Sequence, residues 1–197
     1  MTLESEPASR LRGAFPSAIA ADVDAALAVV PNSRRTPSND DIGPVLVAGE
    51  ALHIPRRFYS PEPPAEALDS LGASARTVLA CLYTRHNDGH VRERHLRYVI
   101  SSTAHWVPPF VVQLLGEYVL EVHRVIVSNV NHLDQPSYVR FVAENPTFMQ
   151  LTRQRVVSYW DCYFRSAAPK LQSHEAFRVL AGLESGQVRS QAGGLAS

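Results

Sequence analysis

Apolar residues recur at helical intervals between Ala65 and Leu183, and show no such rhythm before Ala65. From Leu71, the apolar positions Ala75, Val78, Leu79 and Leu82 follow the i, i+4, i+7, i+8, i+11 series of one helix face. Asn87-Asp88-Gly89 predicts the end of that helix, with glycine supplying a residue suited to positive φ. Val91–Ile100 predicts a short second helix. Pro108 and Pro109 stand where a helix begins, and the apolar run behind them predicts a long third helix to about Val130. Asn131–Pro136 is a break and Ser137–Glu144 a short helix. Pro146 then opens another long helix ending near Arg165, Pro169 stops it, and a last helix covers Ser173–Leu183.

This pattern predicts an all-α fold, and no segment after Ala65 reads as a strand. The long helices start near residues 71, 109 and 147, spaced by 38, each followed by a short helix. Two helices per unit at a period of roughly 33 to 47 residues mark stacked helical repeats. The units share little residue identity, so an irregular helical bundle and a short HEAT-like stack of helical hairpins both fit.

The first 64 residues differ: they hold nine of the 14 prolines, which disfavours continuous regular structure. They predict a proline-rich extended arm over residues 1–64, partly mobile, lying across a globular domain of residues 65–184. Within the arm, Ser17–Val30 predicts one short helix with Ser17 as its N-cap and Pro31 beyond its end. Asn32–Pro44 is polar and turn-rich, and predicts a mobile loop. Val45–Ile54 predicts two short strands or an extended run. Residues 185–197 hold little to bury and predict a frayed tail.

Composition narrows the function classes. The 197 residues carry 19 basic and 19 acidic side chains, so no global field draws the chain to nucleic acid or to an anionic membrane. Eighteen of the basic residues are arginine against the single Lys170, a bias that genome composition explains as well as phosphate recognition does. The start carries Glu4 and Glu6 in place of a basic secretory leader, and Phe110–Val127 is interrupted by Gln113, Glu117, Glu121, His123 and Arg124, which rules it out as a lone membrane span. Cys81 and Cys162 predict reduced, buried thiols in a cytoplasmic chain.

Four groups of residues bear on chemistry. On the third long helix, Gln113, Glu117, Glu121, Arg124 and Ser128 fall in one narrow stripe at about 100° per residue, which predicts a central helix wetted along a single seam. Glu117 and Glu121, one turn apart, suit a divalent metal or an acid/base pair; in the plainer reading, Arg124 pairs back to Glu121 in water. The run RHNDGHVRERH places His86, His90 and His95 close in sequence, and with Glu117 or Glu121 they form a candidate metal set. Their spacing matches neither His-Glu-x-x-His nor the Glu-x-x-His of di-iron bundles, and His86 equally predicts a cap for its own helix C-terminus.

The helix–Gly89–helix outline, with Arg92, Arg94 and Arg97 on the second helix, fits a helix-turn-helix entering a DNA groove, although Asp88 and Glu93 dilute its charge. The fourth group is Arg153, Arg155, Tyr159 and Trp160, residue types enriched at interface cores as well as in ordinary packing. Arg155, on the flank of Phe148 and Tyr159, bears most directly on that choice.

No phosphate loop, nucleophile elbow or dinucleotide fingerprint occurs. The leading expectation is therefore a helical interaction or scaffold module without catalytic activity or cofactor, which binds a protein partner or a second copy of itself. A metal-dependent enzyme and a DNA-binding regulator are the alternatives.

Overall fold

The computed structural model describes residues 6–33 and 42–186. The helices are α1 (Glu6–Arg12), α2 (Ala20–Ala28), α3 (Ala65–Asp69), α4 (Ala73–Tyr83), α5 (Gly89–Val99), α6 (Pro108–Leu115), α7 (Leu120–Ser128), α8 (Gln135–Glu144), α9 (Pro146–Tyr159) and α10 (Glu175–Glu184). Short 3-10 turns and one π-helical turn, Trp160–Phe164, join them. The only sheet among the described residues is a hairpin of β1 (Val45–Val47) and β2 (Glu50–Leu52). The fold is all-α in class, as the periodicity predicts.

All eight residues of α6 are buried, apolar and polar alike, so this helix is the axis of the core. α7, α8, α9 and α10 pack against it, while α4 is flanked by α2 and α5. Pro108 and Pro146 each sit at the first helical position, where a missing N–H costs nothing.

The central helix is not continuous. It stops at Gly116, and α7 begins again at Leu120 in a new direction. A Cβ added at Gly116 would come to 3.3 Å from the Cβ of Arg155 on α9, so a larger residue would push the two segments apart by a few tenths of an ångström. Gly89 also departs from expectation. It opens α5 as a helical residue, and Asp88 caps that helix by accepting from the His90 N–H at 2.8 Å.

The N-terminal segment belongs to the core. Leu11, Phe15, Val23, Ile54 and Phe58 join one hydrophobic cluster that runs to Leu183. Phe15 stacks on Phe110 of α6 at 5.2 Å between ring centres. Ser17 caps nothing with its side chain; its N–H donates to Glu50 instead. Residues 34–41 of the expected loop and 187–197 of the expected tail lie outside the described residues.

The hairpin turns at Ala48-Gly49, both at positive φ, which is the backbone that matches strand twist in a two-residue loop. Its outer edge is closed by one asparagine. Asn145 accepts from the Leu46 N–H at 2.7 Å and donates to the Leu46 and Phe141 carbonyls, both at 2.8 Å. Asn145→Ala leaves those groups unpaired, and a stability loss of about 2 kcal/mol is expected. Urea denaturation checks it, together with faster amide exchange at Leu46.

Candidate functional site

The break at Gly116 turns Glu117 away from a helix surface and into a nest of arginines. After α4 the chain continues through Thr84 to Asn87, and the segment around Phe58 runs beside it. The Phe58 N–H donates to the Arg85 carbonyl at 2.9 Å, and the Asn87 N–H donates to the Phe58 carbonyl at 3.1 Å. This short parallel bridge fixes Arg56 and Arg57 above Arg85, whose Nη2 donates to the Arg56 carbonyl at 3.1 Å.

Glu117 is the hub. Its Oε1 accepts from Arg57 Nη1 at 2.9 Å and from Arg85 Nη2 at 3.3 Å. Its Oε2 lies 3.0 Å from Arg92 Nη2, at ion-pair distance but without hydrogen-bond alignment, so that oxygen keeps an unused acceptor. Arg92 also donates to the His86 and Asn87 carbonyls, at 2.8 and 3.1 Å, and so finishes the backbone beyond α4. Arg85 and Arg92 are almost wholly buried, at 1% and 3% exposure. Burial raises the Glu117 carboxyl, but the guanidiniums of Arg85, Arg92 and Arg57 outweigh it, and Glu117 titrates below the ordinary carboxylate range.

Above this pair network opens a cleft of about 390 Å³, part of it open to solvent, lined by Arg56, Arg57, Arg85, Gln113, Gly116, Glu117, Tyr118, Arg155 and Tyr159. Five guanidiniums, counting Arg92 behind the wall, share a single carboxylate. Neither Arg56 nor Arg155 makes an ion pair among the described residues. Arg155 is pulled down by its partial burial and then by repulsion from Arg56; Arg85 is pulled down to about 10 by burial first and by Arg57 and Arg92 after it. Both remain cationic at neutral pH. Three buried polar atoms of the lining residues lack a hydrogen bond: Arg85 Nε, Gln113 Oε1 and Glu117 Oε2. Uncompensated positive charge beside low-dielectric walls focuses a field that attracts anions.

Tyr118 and Tyr159 line the cleft, and Tyr163 packs against both. Tyr118 lies 5.8 Å from Tyr159 and 5.9 Å from Tyr163, and Tyr159 lies 6.0 Å from Tyr163, between ring centres. Tyr118 and Tyr163 are 56% and 62% exposed, so their ring faces are available to a ligand. Tyr163 sits in the π-helical turn that follows α9, a feature frequent at functional sites.

Of the other candidates, His86 and His95 both lie against the Tyr83 ring, at 6.0 and 4.8 Å between ring centres. His86 Nδ1 accepts from the Asp88 N–H at 3.1 Å, and its burial favours the neutral ring, so it does not cap α4 as a cation. His95 stacks on Tyr83 at 4.8 Å and meets Glu62 at 2.8 Å, while His90 lies in the first turn of α5. Glu121 is exposed in the first turn of α7, past the break that carries Glu117, and makes no ion pair with Arg124. Thus His86, His90, His95, Glu117 and Glu121 do not converge, and no group of three or more His, Cys, Asp or Glu among the described residues could hold a metal ion.

The three arginines of the helix-turn-helix reading each carry an ion pair within the chain. Arg92 points inward to Glu117, Arg94 pairs with Glu62, and Arg97 pairs with Glu93 at 2.7 Å. Arg153 pairs with Glu184 and lies over the Phe177 ring, and Trp160 donates to the Ala168 carbonyl at 2.8 Å. Of that fourth group, Arg155 and Tyr159 reach the cleft. Cys81 is buried as expected, whereas Cys162 is exposed; neither forms a disulfide. No helix among the described residues is long and apolar enough to cross a membrane.

Arg56, Arg57 and Arg85 carry no motif in the sequence, whereas Gln113 stands in the polar stripe with Glu117. The available signal was Gln113 and Glu117 on an otherwise apolar segment, which demands partners for both. Compared with known proteins, the chain matches no family model, no curated protein and no solved structure.

Proposed function

We propose that this chain is a binding module without catalytic activity, whose cleft beneath Arg56 and Arg155 receives an anionic group of its partner. One observation carries the reading: among the described residues Glu117 is the single carboxylate paired within a cluster of five guanidiniums, and two of them, on Arg56 and Arg155, make no ion pair. Guanidinium forks match phosphate and carboxylate oxygens two at a time, and a site already desolvated on its inner face holds such an anion more strongly than an exposed patch does. Nothing in the cleft provides a nucleophile beside a base, which supports binding over turnover. Two free cysteines are in keeping with a reducing, cytoplasmic setting.

Inorganic phosphate titrated into the full chain at low ionic strength is the direct test. Saturable binding is expected, with affinity falling as salt rises, and Arg155→Ala weakens it by about tenfold, the equivalent of about 1.4 kcal/mol. Absence of binding, or an Arg155→Ala protein that binds as tightly as the parent, would overturn the proposal.

A further inference from the structure

Residues 160–173, which join α9 to α10, contain no buried side chain. Among the described residues, the side-chain polar contacts of this stretch are internal. Trp160 donates to the Ala168 carbonyl at 2.8 Å, and Arg165 pairs with Asp161 at 2.7 Å while lying over the Trp160 ring. Its ring contacts with the body of the molecule come from two side chains. Tyr163 packs on Tyr118 and Tyr159. Phe164 lies against two histidines: His123 of α7 at 5.8 Å, and His174 at the N-cap of α10 at 5.0 Å, between ring centres. A segment with so little apolar surface to expose opens at a small part of the cost of unfolding the core.

The ground beneath Phe164 responds to protons. His123 is 1% exposed and both of its nitrogens lack an aligned hydrogen bond, so the ring gains partners from water whenever the segment lifts. Burial is the largest influence on this imidazole and, with His174, holds it neutral down to about 4. The helices packed on α7 are α5, α6 and α10. From α10, His174 opposes a second charge 5.8 Å away, and Glu175 partly offsets the charge of His174 itself. From the break after α6, the Glu117 carboxylate and the Leu115 and Glu117 carbonyls favour the charged ring, but Arg57 and Arg85 already engage Glu117. From α5, Arg92 is directed at the same carboxylate. On α7 itself, Glu121 and Arg124 are exposed. We infer that residues 160–173 are a strap released by acid: a proton taken up by His123 drives the Phe164 ring off the two histidines, admits water to them, and detaches the segment while the helical core stays folded. Tyr163 leaves with it, so the same event removes one ring from the cluster beside the cleft.

Hydrogen exchange of the full chain between about pH 7 and about pH 4.5, with each rate divided by the intrinsic rate at that pH, reads the opening directly. The reporters are the Ala167 and Ala168 N–H groups, which donate to the Phe164 carbonyl at 3.1 and 2.8 Å. Open and closed strap differ in bound protons between about 6.5 and about 4, so the opening equilibrium is expected to rise about tenfold per pH unit within that window. The amides of α6 are expected to remain the slower at every pH. His123→Phe flattens the dependence. Phe164→Ala, at a half-buried ring, wets His123, and an NMR titration of that imidazole is expected to move from about 4 toward its ordinary value of about 6.5. If the strap and α6 exchange at the same corrected rate, the chain unfolds as a whole and the strap is wrong. A slope unchanged in His123→Phe, or a His123 titration unmoved in Phe164→Ala, overturns it equally.

Discussion

Glu117→Gln is expected to lower the unfolding free energy by about 3–5 kcal/mol, the usual cost of removing one partner from a buried ion network. Glutamine keeps the size of the side chain, so the effect isolates the charge. Without the carboxylate, Arg85 and Arg92 remain buried at 1% and 3% exposure with Arg57 pressed against them, and nothing balances their mutual repulsion. Guanidine hydrochloride is a poor denaturant here because it masks charge; urea melts read the loss. The same variant supplies a second, opposite signal. An added phosphate that occupies the cleft is a replacement counter-ion, and ligand bound only by the folded state stabilises it in proportion to the logarithm of its concentration. Phosphate therefore raises the midpoint of Glu117→Gln more than that of the parent chain. An unchanged midpoint in the variant would mean that the carboxylate is not what holds the arginines in place.

The second large effect is a loss of stability in mild acid that originates at His123. This ring is 1% exposed, and neither of its nitrogens finds an aligned hydrogen bond. Burial and then the neighbouring His174 pull it down to about 4, against a weaker opposing pull from the nearby Glu117 and Leu115 carbonyls. Phe164 lies 5.8 Å away, between ring centres, and keeps water from the site. An unfolded chain takes up a proton at such a histidine near its ordinary pKa of about 6.5. Between about 6.5 and about 4 the unfolded state thus binds more protons than the folded one, so stability rises with pH across that window. The contribution is complete above pH 6.5, declines as pH falls, and levels off once both states are protonated. Its full extent is roughly 3 kcal/mol, taking about 1.4 kcal/mol per pKa unit. His123→Phe removes this titration, and the difference in slope between the two proteins isolates it from His174, which burial also shifts downward. Equal slopes from pH 4 to 6.5 would refute the assignment.

The helices were legible because their signals are local. Prolines at Pro108 and Pro146 and the regular spacing from Leu71 to Leu82 involve neighbours in the chain, and the structure begins α6 and α9 at those prolines. The interruption at Gly116 was not legible, since apolar spacing continues across it and the reason for it, the close approach of Arg155, lies on another helix. The same applies to the seam of Gln113 and Glu117. A polar residue on an apolar segment is either wetted or satisfied from a distance. Here the satisfying groups are Arg57 and Arg85, 60 and 32 residues away. Glu121, four residues on, follows the wetted alternative. Arg155 and Tyr159 were singled out for their type, and the cleft they share with Arg56 and Arg57 became visible only when the N-terminal segment was found packed into the core.

The cleft borrows from stretches that run from Arg56 to Tyr159, joined through one carboxylate. No single helix therefore contains the site. During synthesis the partners of Glu117, namely Arg57, Arg85 and Arg92, emerge before it, whereas the cleft wall waits for Arg155 and Tyr159 on α9. If the cleft binds an anion as proposed, a chain stalled before α9 lacks two of its lining residues, Arg155 and Tyr159.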